Sequence, residues 1–257
     1  MEQNILKELR GNILYVTINR EKKLNALNKA TLAELAEIVI YVAKTEEVSA
    51  VLLTGAGEKA FVAGADISEF SSYNAEQGTG LARVGQAEVF NAIENSPKPF
   101  LAAINGFALG GGLELAMACH IRIAAESARM GLPEVTLGLI PGYGGTQRLT
   151  QLVGKGRALE MITTAEMISA ERAEKIGLVN YVVPLNELLN KAEEILNKIK
   201  QRAPLAVAAA IKSVNTAVTS VGFSTEIEEF GKCFATQDFK EGVTAFLEKR
   251  KANFKGC

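Results

Sequence analysis

Apolar positions along the first two-thirds of the chain follow two alternating patterns, short continuous runs typical of buried strands and a spacing of three and four typical of helices. The spacing predicts a first helix that is capped by Asn28 and carries Leu35 and Ile38 on its apolar face. It also predicts a mainly helical segment over 68–95, interrupted around Gly78 and Gly80. Strands are predicted at 13–18, 48–54, 100–105, 121–124 and 179–183, and further helices at 149–161 and 170–175. This alternation predicts an α/β fold.

The pattern changes after Pro184, where only helices are predicted. They cover 185–201, 204–218, 225–233 and 238–251. Asp238 and Glu241 have the spacing of a capping box for the last of them. We therefore expect an α/β core over residues 1–200 and a helical C-terminal region over 201–257.

Composition excludes several classes of protein. The chain is 48% hydrophobic and 22% charged, which suits a packed core rather than a disordered chain. Its net charge is −1 and it has no Trp, so neither a basic field nor stacking platforms favour nucleic-acid binding. The longest apolar stretch contains Asn105 and Glu114 and predicts no membrane span. Residues 1–12 lack the apolar region of an export signal, so we expect a cytoplasmic protein.

Histidine and cysteine content restricts the possible chemistry. The single histidine, His120, rules out a His-rich metal site, and we expect this residue to be structural. Cys119, Cys233 and Cys257 show no CxxC spacing and are predicted to be free thiols. We therefore expect no metal, and we expect that any catalytic acid and base are carboxylates, Tyr, Lys or Cys.

Three glycine-containing turns suggest one kind of chemistry. In the first, at 63–67, the chain is predicted to turn directly into a helix; in the second, at 105–118, a strand passes through three glycines into a helix whose first turn carries Glu114. The third contains Glu134 and leads into a glycine-rich segment at 138–146. Two free main-chain N–H groups can form an oxyanion hole, and two carboxyl groups in apolar surroundings can act as base and acid. Together these groups suit addition of water to a conjugated thioester.

Taken singly, each of these features has a more ordinary explanation. A triple glycine is usually a tight turn, and a glutamate in a first helical turn usually complements the helix dipole. The segment Gly55-Ala-Gly57-Glu-Lys-Ala60 superficially matches a dinucleotide-binding GxGxxA motif. That motif requires a helix immediately afterwards, and none is predicted. Residue chemistry by itself leaves these alternatives open.

The same segments closely resemble the crotonase (enoyl-CoA hydratase/isomerase) family. The resemblance extends in order over essentially the whole chain. The matching segments are Asn-Ala-Leu at 25–27, Ala-Phe-Val-Ala-Gly-Ala-Asp-Ile at 60–67, Lys-Pro-Phe-Leu-Ala-Ala-Ile-Asn-Gly at 98–106, Ala-Leu-Gly-Gly-Gly-Leu-Glu-Leu-Ala at 108–116, Pro-Glu at 133–134, Pro-Gly-Tyr-Gly-Gly-Thr-Gln-Arg-Leu at 141–149, Ala-Glu-Arg-Ala-Glu-Lys-Ile-Gly-Leu-Val at 170–179 and Phe-Leu-Glu-Lys-Arg at 246–250.

The resemblance implies a spiral of ββα turns with a C-terminal helical region, assembled as a homotrimer or a dimer of trimers. It also implies hydration of a 2-enoyl-CoA with no cofactor beyond the coenzyme A of the substrate. Glu114 would activate the water and Glu134 would deliver a proton to the α-carbon, while Ala65 and Gly111 would supply the oxyanion N–H groups. The remaining residues implied to bind substrate are Ala63, Asp66, Ile67, Ser68, Gly142, Tyr143 and, near the CoA phosphates, Lys249.

Two positions depart from the family pattern. His120 stands where many members have Asp, and Tyr143 stands where a small residue is common, so Tyr143 is expected to shape the acyl pocket or to contribute its O–H. Two other functions on the same scaffold stay open: double-bond isomerisation, in which Glu134 would shuttle a proton without water, and a non-catalytic protein that retains an acyl-CoA site. The presence of both glutamates favours the hydratase.

Overall fold

The structure, a computed structural model, describes residues 3–257 and contains two β-sheets. The larger sheet has the strand order β1-β2-β3-β5-β7-β10, in which only the β1–β2 pair is antiparallel. Its strands are β1 (Ile5–Arg10), β2 (Ile13–Ile18), β3 (Ala50–Gly55), β5 (Phe100–Ile104), β7 (Ile121–Ala125) and β10 (Tyr181–Val183).

The smaller sheet has the order β4-β6-β8-β9 and is parallel except for the β8–β9 pair. Its strands are β4 (Ala60–Val62), β6 (Phe107–Leu109), β8 (Arg129–Gly131) and β9 (Ile168–Ser169). The consecutive strands β3 and β4, β5 and β6, and β7 and β8 each place the first strand in the large sheet and the second in the small one. The fold is therefore the expected spiral of ββα turns.

Eleven α-helices, joined by short 3₁₀ turns, are found in the described residues. They are α1 (Lys29–Lys44), α2 (Ala75–Gly85), α3 (Asn91–Glu94), α4 (Gly111–Ala118), α5 (Gly145–Val153), α6 (Lys155–Thr164), α7 (Ala170–Lys175), α8 (Leu188–Lys200), α9 (Pro204–Asn215), α10 (Gly222–Cys233) and α11 (Gln237–Leu247). Within residues 3–257 no helix combines the length and the apolar character that crossing a membrane requires.

The central strands β3, β5 and β7 of the large sheet are buried on both faces. Alternate residues of each strand point to opposite sides of the sheet. In β3, Val51 and Leu53 pack into the main core with α1 and α4, whereas Ala50 and Leu52 pack under α8. Helix α8 contributes Leu188, Ala192 and Leu196 to that second cluster. The continuous apolar run that predicted this strand therefore results from burial on both sides.

The predicted helix over 68–95 begins later than expected and is not interrupted at Gly78 or Gly80. It starts at Ala75 after a capping box made by Asn74 and Gln77, and Gly78 and Gly80 lie within α2. A side chain at either glycine would contact nothing, so these residues weaken the helix without ending it. The α-helical pattern changes only at Gln86–Phe90, a π-helical turn between α2 and α3.

Two further predictions about helices were wrong. The expected single helix over 149–161 is two helices, because Gly154 with φ 82° separates α5 from α6. Asp238 and Glu241 do not form a capping box. Instead Thr236 caps α11 through Phe239 N–H, while Asp238 accepts bonds from the main-chain N–H groups of Lys255 and Gly256.

Replacing Gly112 by alanine should destabilise the protein by about 3 kcal/mol, near the top of the usual cost of overpacking. Its α-carbon packs against β4 so closely that a methyl group would overlap the Val62 carbonyl. Gly78→Ala is the matched control. Its methyl group would meet nothing, and it should stabilise α2 by about 0.5–1 kcal/mol. Urea unfolding of both variants measures the difference, and equal effects would contradict the packing argument.

Candidate active site

Glu114 lies in the first turn of α4 and is almost completely buried, with 1% of its surface exposed. Gly110, with φ 50°, makes the sharp bend that joins β6 to this helix. The Glu114 Oε1 atom accepts hydrogen bonds of 2.7 Å from the Tyr143 and Gly145 main-chain N–H groups. Burial raises the pKa of Glu114 to about 7, against the opposing effect of these two bonds. The carboxyl group can therefore gain or lose a proton near neutral pH.

Glu134 opens a short 3₁₀ helix and approaches the same bend from the other side. Its Oε1 atom lies 2.8 Å from the point where a side chain on Gly110 would begin, so the carboxyl group lies directly against the bend. Its Oε2 atom is buried and has no hydrogen-bond partner among residues 3–257. Burial raises the pKa of Glu134, and the charge of Glu134 in turn raises the pKa of Glu114. The two carboxyl groups therefore share one site and titrate as a pair.

Two main-chain N–H groups flank these carboxyl groups. The Ala65 N atom lies 3.8 Å from the position of a β-carbon built on Gly111, so the two residues are neighbours. Gly111 is the first residue of α4, where N–H groups have no acceptor within the helix. Within the described chain, Ala65 N–H has no hydrogen-bond acceptor either. The structure thus places two unpaired donors side by side at the positive end of α4.

Two fully or nearly buried asparagines hold the strands that lead into the Ala65 loop. Asn25, at φ 59°, donates to the carbonyls of Ala56 and Ala60. Asn105 donates to the carbonyls of Gly55, Gly57 and Ala60. Such satisfied polar groups fix backbone that regular sheet pairing leaves free. Neither asparagine received a role at the sequence level.

The predicted substrate-binding residues of this loop fall into two groups. Ala63 and Asp66 are half-buried, and Asp66 is held by Arg20 at 3.1 Å and by the Ser68 hydroxyl at 2.7 Å. Ile67 and Ser68 are exposed. The expected helix after this loop is only the 3₁₀ turn Ile67–Glu69.

Lys249 is not brought into the site by any hydrogen bond or ion pair of the described residues. It is exposed in the turn after α11, and its main-chain N–H donates to Phe246 O. Gly142 precedes Tyr143 in the chain, and its carbonyl accepts a 2.7 Å bond from Gln86 Nε2.

Tyr143 forms one wall of the site. Its ring is buried, stacks on Phe90 at 4.7 Å, and lies directly against the α-carbon of Gly85, where any side chain would overlap it. Burial raises the pKa of the Tyr143 hydroxyl to about 12, so it stays a neutral donor at pH 7. The Tyr143 ring therefore takes up space that a smaller residue would leave open.

His120 and Cys119 lie at the far end of α4. His120 Nδ1 accepts from Phe100 N–H, and Nε2 contacts Glu94 O at 3.0 Å as the donor. Burial lowers the pKa of His120, which keeps the ring neutral, and raises the pKa of the Cys119 thiol to about 12. Both ring nitrogens therefore bond main-chain groups, in agreement with a structural role for His120.

Arg148 contacts the site, although the sequence predicted no role for it. Its guanidinium donates to Tyr143 O, to Asn91 Oδ1 and to Glu94 Oε2 at 2.7–2.9 Å. Arginine at a helix surface is usually solvated, so sequence alone gave no signal beyond its place in the segment 141–149.

No group of three or more His, Cys, Asp or Glu residues within 3–257 is arranged to hold a metal ion. The segment 55–60 is not a dinucleotide-binding motif, because strand β4 follows it where that motif needs a helix.

Comparison with known proteins connects this geometry to one family. The enoyl-CoA hydratase/isomerase family model matches residues 8–257. The short-chain-enoyl-CoA hydratase of Clostridium acetobutylicum is 51% identical over 253 residues, with 96% of each chain covered. The crotonyl-CoA hydratase of Syntrophomonas wolfei is 49% identical over 256 residues, with 98% of each covered. The crystal structure of an enoyl-CoA hydratase from Bacillus anthracis superimposes with a TM-score of 0.92 at 43% identity, covering 99% of this chain and 100% of that one. The chain belongs to the enoyl-CoA hydratase/isomerase (crotonase) family.

Proposed function

We propose that the chain, an enoyl-CoA hydratase by its family and relatives, adds water reversibly to a 2-trans-enoyl-CoA to give a 3-hydroxyacyl-CoA by means of Glu114, Glu134 and the amides of Ala65 and Gly111. One observation supports this mechanism above all others. A buried carboxyl group held by two N–H groups and a second with an unpartnered oxygen lie together beside two free main-chain donors. No cofactor other than the coenzyme A of the substrate takes part in it.

The thioester oxygen accepts hydrogen bonds from the N–H groups of Ala65 and Gly111, which withdraws electrons from the conjugated double bond. Glu114, as carboxylate, takes a proton from water while the water oxygen bonds to the β-carbon. The electron pair of the double bond moves toward the α-carbon and the thioester oxygen, where the two amides stabilise the developing negative charge. Glu134, as the acid, donates its proton to the α-carbon. One proton then passes from Glu114 to Glu134 and restores the starting state.

The environments of the two glutamates support this division of roles. The two N–H bonds to Glu114 favour its ionised form, whereas the Glu134 Oε2 atom has no donor to stabilise a charge. The proposed reaction requires Glu114 to be ionised and Glu134 to hold the proton when the substrate is bound. Both groups need a pKa near the working pH, and burial raises both from their ordinary values.

The acyl chain lies, in this proposal, against α1 and α2. A cavity of about 400 Å³ between these helices is lined by residues that include Leu32, Tyr73, Leu81 and Gly85. Leu32, Tyr73 and Leu81 also line a smaller space that reaches Ala65 and Tyr143. Tyr143 lines the smaller space, and its ring packs against Gly85, which lines the larger one. In this proposal the ring takes up space beside the acyl chain, so short chains are favoured. Two relatives are named for short-chain and crotonyl substrates, which supports the same preference.

The loop residues Ala63, Asp66, Ile67 and Ser68 remain our candidates for binding the thioester and pantetheine, and Lys249 for the CoA phosphates. Lys249 lies in the turn after α11, and no hydrogen bond or ion pair of residues 3–257 positions its side chain. It remains a candidate because it is an exposed cation next to the exposed apolar side chains Phe246 and Leu247.

We also propose that the protein acts in the cytoplasm as a homotrimer or a dimer of trimers. Helices α9 to α11 bury few side chains and expose a large apolar surface. Contiguous apolar surface of this extent is typical of an interface between subunits. Its most exposed members are Val214, Phe223, Ile227, Phe230, Phe246 and Leu247. Light scattering on the purified protein measures the assembly, and a monomer would contradict it.

The test of the function is to incubate the protein separately with 2-enoyl-CoA and 3-enoyl-CoA thioesters of increasing chain length. Loss of the absorbance of the conjugated thioester follows hydration. We expect turnover of the 2-enoyl series, fastest for the shortest members. Turnover of the 3-enoyl series alone would show that the chain is an isomerase, and turnover of neither would leave only a binding protein.

A further inference from the structure

Arg148 is a buried cation that the proposed reaction does not use. Only 6% of its side chain is exposed, although arginine is rarely buried this far. It lies on α5, one turn after the segment that binds Glu114, and it extends back toward that segment. Its ion pair with Glu94 at 2.7 Å and its bond to Asn91 fix it to α3.

The guanidinium connects α3 to the turn that holds Glu114. Its Nη1 atom donates 2.9 Å to Tyr143 O, and the N–H of the same Tyr143 donates to Glu114 Oε1. Gly144, with φ 95°, packs so tightly on the guanidinium that a side chain there would overlap it. Gly145, the next residue, gives the second bond to Glu114. The guanidinium thus contacts Tyr143 and Gly144, in the turn that carries both donors to Glu114.

We propose that Arg148 is a positioning residue for the hydration reaction: it fixes the Tyr143–Gly145 turn that holds Glu114 and places a permanent positive charge behind that carboxyl group. The inference rests on the proposed function for its effect on rate, but its effect on Glu114 can be measured without substrate.

The charges around Glu114 define the expected direction of that effect. Glu134 faces it from the 3₁₀ turn and raises its pKa, whereas Arg148 faces it from α5 and lowers its pKa. The neutral Tyr143 hydroxyl is on the same loop, and Glu94 lies beyond Arg148 on α3. Burial and Glu134 both raise the pKa of Glu114. Without Arg148, none of these side-chain charges opposes them. The pKa of Glu114 must then rise.

Three variants separate position from charge. Arg148→Met removes both the hydrogen bonds and the charge. Arg148→Lys keeps the charge but cannot bond Tyr143, Asn91 and Glu94 at the same time. Arg122→Met is the matched control, because Arg122 is equally buried and bonds three main-chain carbonyls but is not among the groups that act on Glu114. Thermal unfolding of all three gives the loss of stability against which the other effects are compared.

In Arg148→Met we expect kcat for 2-enoyl-CoA hydration to fall about 10- to 100-fold, as for other misplaced catalytic groups, with KM nearly unchanged. The acid limb of the pH–rate profile should move to higher pH, since Glu114 must ionise to act. In Arg148→Lys the limb should stay in place while kcat still falls. Arg122→Met should lower the melting temperature and leave both the limb and kcat as in the wild type.

A ¹³C NMR titration of glutamate carboxyl groups, with Glu114→Gln to assign the signal, measures the pKa of Glu114 in the free protein. It should rise in Arg148→Met and not in Arg148→Lys. An unchanged Glu114 pKa in Arg148→Met would overturn the proposal, as would wild-type kcat in Arg148→Lys if the Met variant does not fold. If the wild-type protein hydrates no thioester but the pKa of Glu114 rises in Arg148→Met, the proposed function is refuted and the effect of Arg148 on Glu114 stands.

Discussion

Replacing Glu114 by glutamine should lower kcat for hydration by about 100-fold or more, within the range for positioned general bases. The glutamine oxygen can still accept the N–H bonds of Tyr143 and Gly145, so the site keeps its shape. What is lost is the ability to take a proton from water. The measurement is the rate at which the conjugated thioester absorbance disappears, at saturating 2-enoyl-CoA.

The same variant has a predictable effect on stability. The folded-state pKa of Glu114 is about 7, above the ordinary value of 4.5, so the folded protein holds this proton more tightly than the unfolded chain does. Stability is therefore lost as pH rises from about 4.5 toward 7 in the wild type, and this loss should be absent in Glu114→Gln. Wild-type kcat in this variant would contradict the role of Glu114 as base, and a variant that is unfolded at pH 7 would contradict the expectation that the site keeps its shape.

Hydrophobic periodicity predicted five of the six strands of the large sheet and none of the small sheet. It missed β1, which exposes all of its residues except Ile5 and therefore has no apolar run. Strands such as β3 and β5 are buried on both faces and therefore form apolar runs that are easily recognised. Strands β4, β6, β8 and β9 have two or three residues each and lie in segments that read as turns. Pairing with distant segments, such as Ala108 of β6 with Met130 of β8, makes them strands, and no local pattern encodes it.

The sequence likewise predicted one part of the site and not another. Glycines at 110–112 and a glutamate after them indicated a helix start near a catalytic group, and the structure has that bend at Gly110. The closeness of Glu134 to Gly110 depends on two segments more than twenty residues apart and followed only from the family resemblance. Arg148 had no signal of its own, since nothing in the sequence shows that it reaches Asn91 and Glu94 in another helix.

Glu134→Gln should also lower the hydration rate by about 100-fold or more, for a different reason. Its carboxyl group delivers the proton to the α-carbon, and an amide cannot do so. Its Oε2 atom has no donor to lose, so the change should cost little stability. The rate measurement alone cannot distinguish this variant from Glu114→Gln, because hydration needs both groups.

Exchange of the α-hydrogen separates the two roles. A saturated acyl-CoA in D₂O has no double bond to hydrate, but its α-proton can still be removed by Glu134 while the Ala65 and Gly111 amides hold the enolate oxygen. We expect the wild type and Glu114→Gln to incorporate deuterium at the α-carbon and Glu134→Gln to do so at least about 100-fold more slowly. Mass spectrometry of the recovered thioester measures it. If Glu114→Gln loses the exchange and Glu134→Gln keeps it, the two roles are reversed. If both variants lose it equally, the buried pair acts as a single proton-sharing unit.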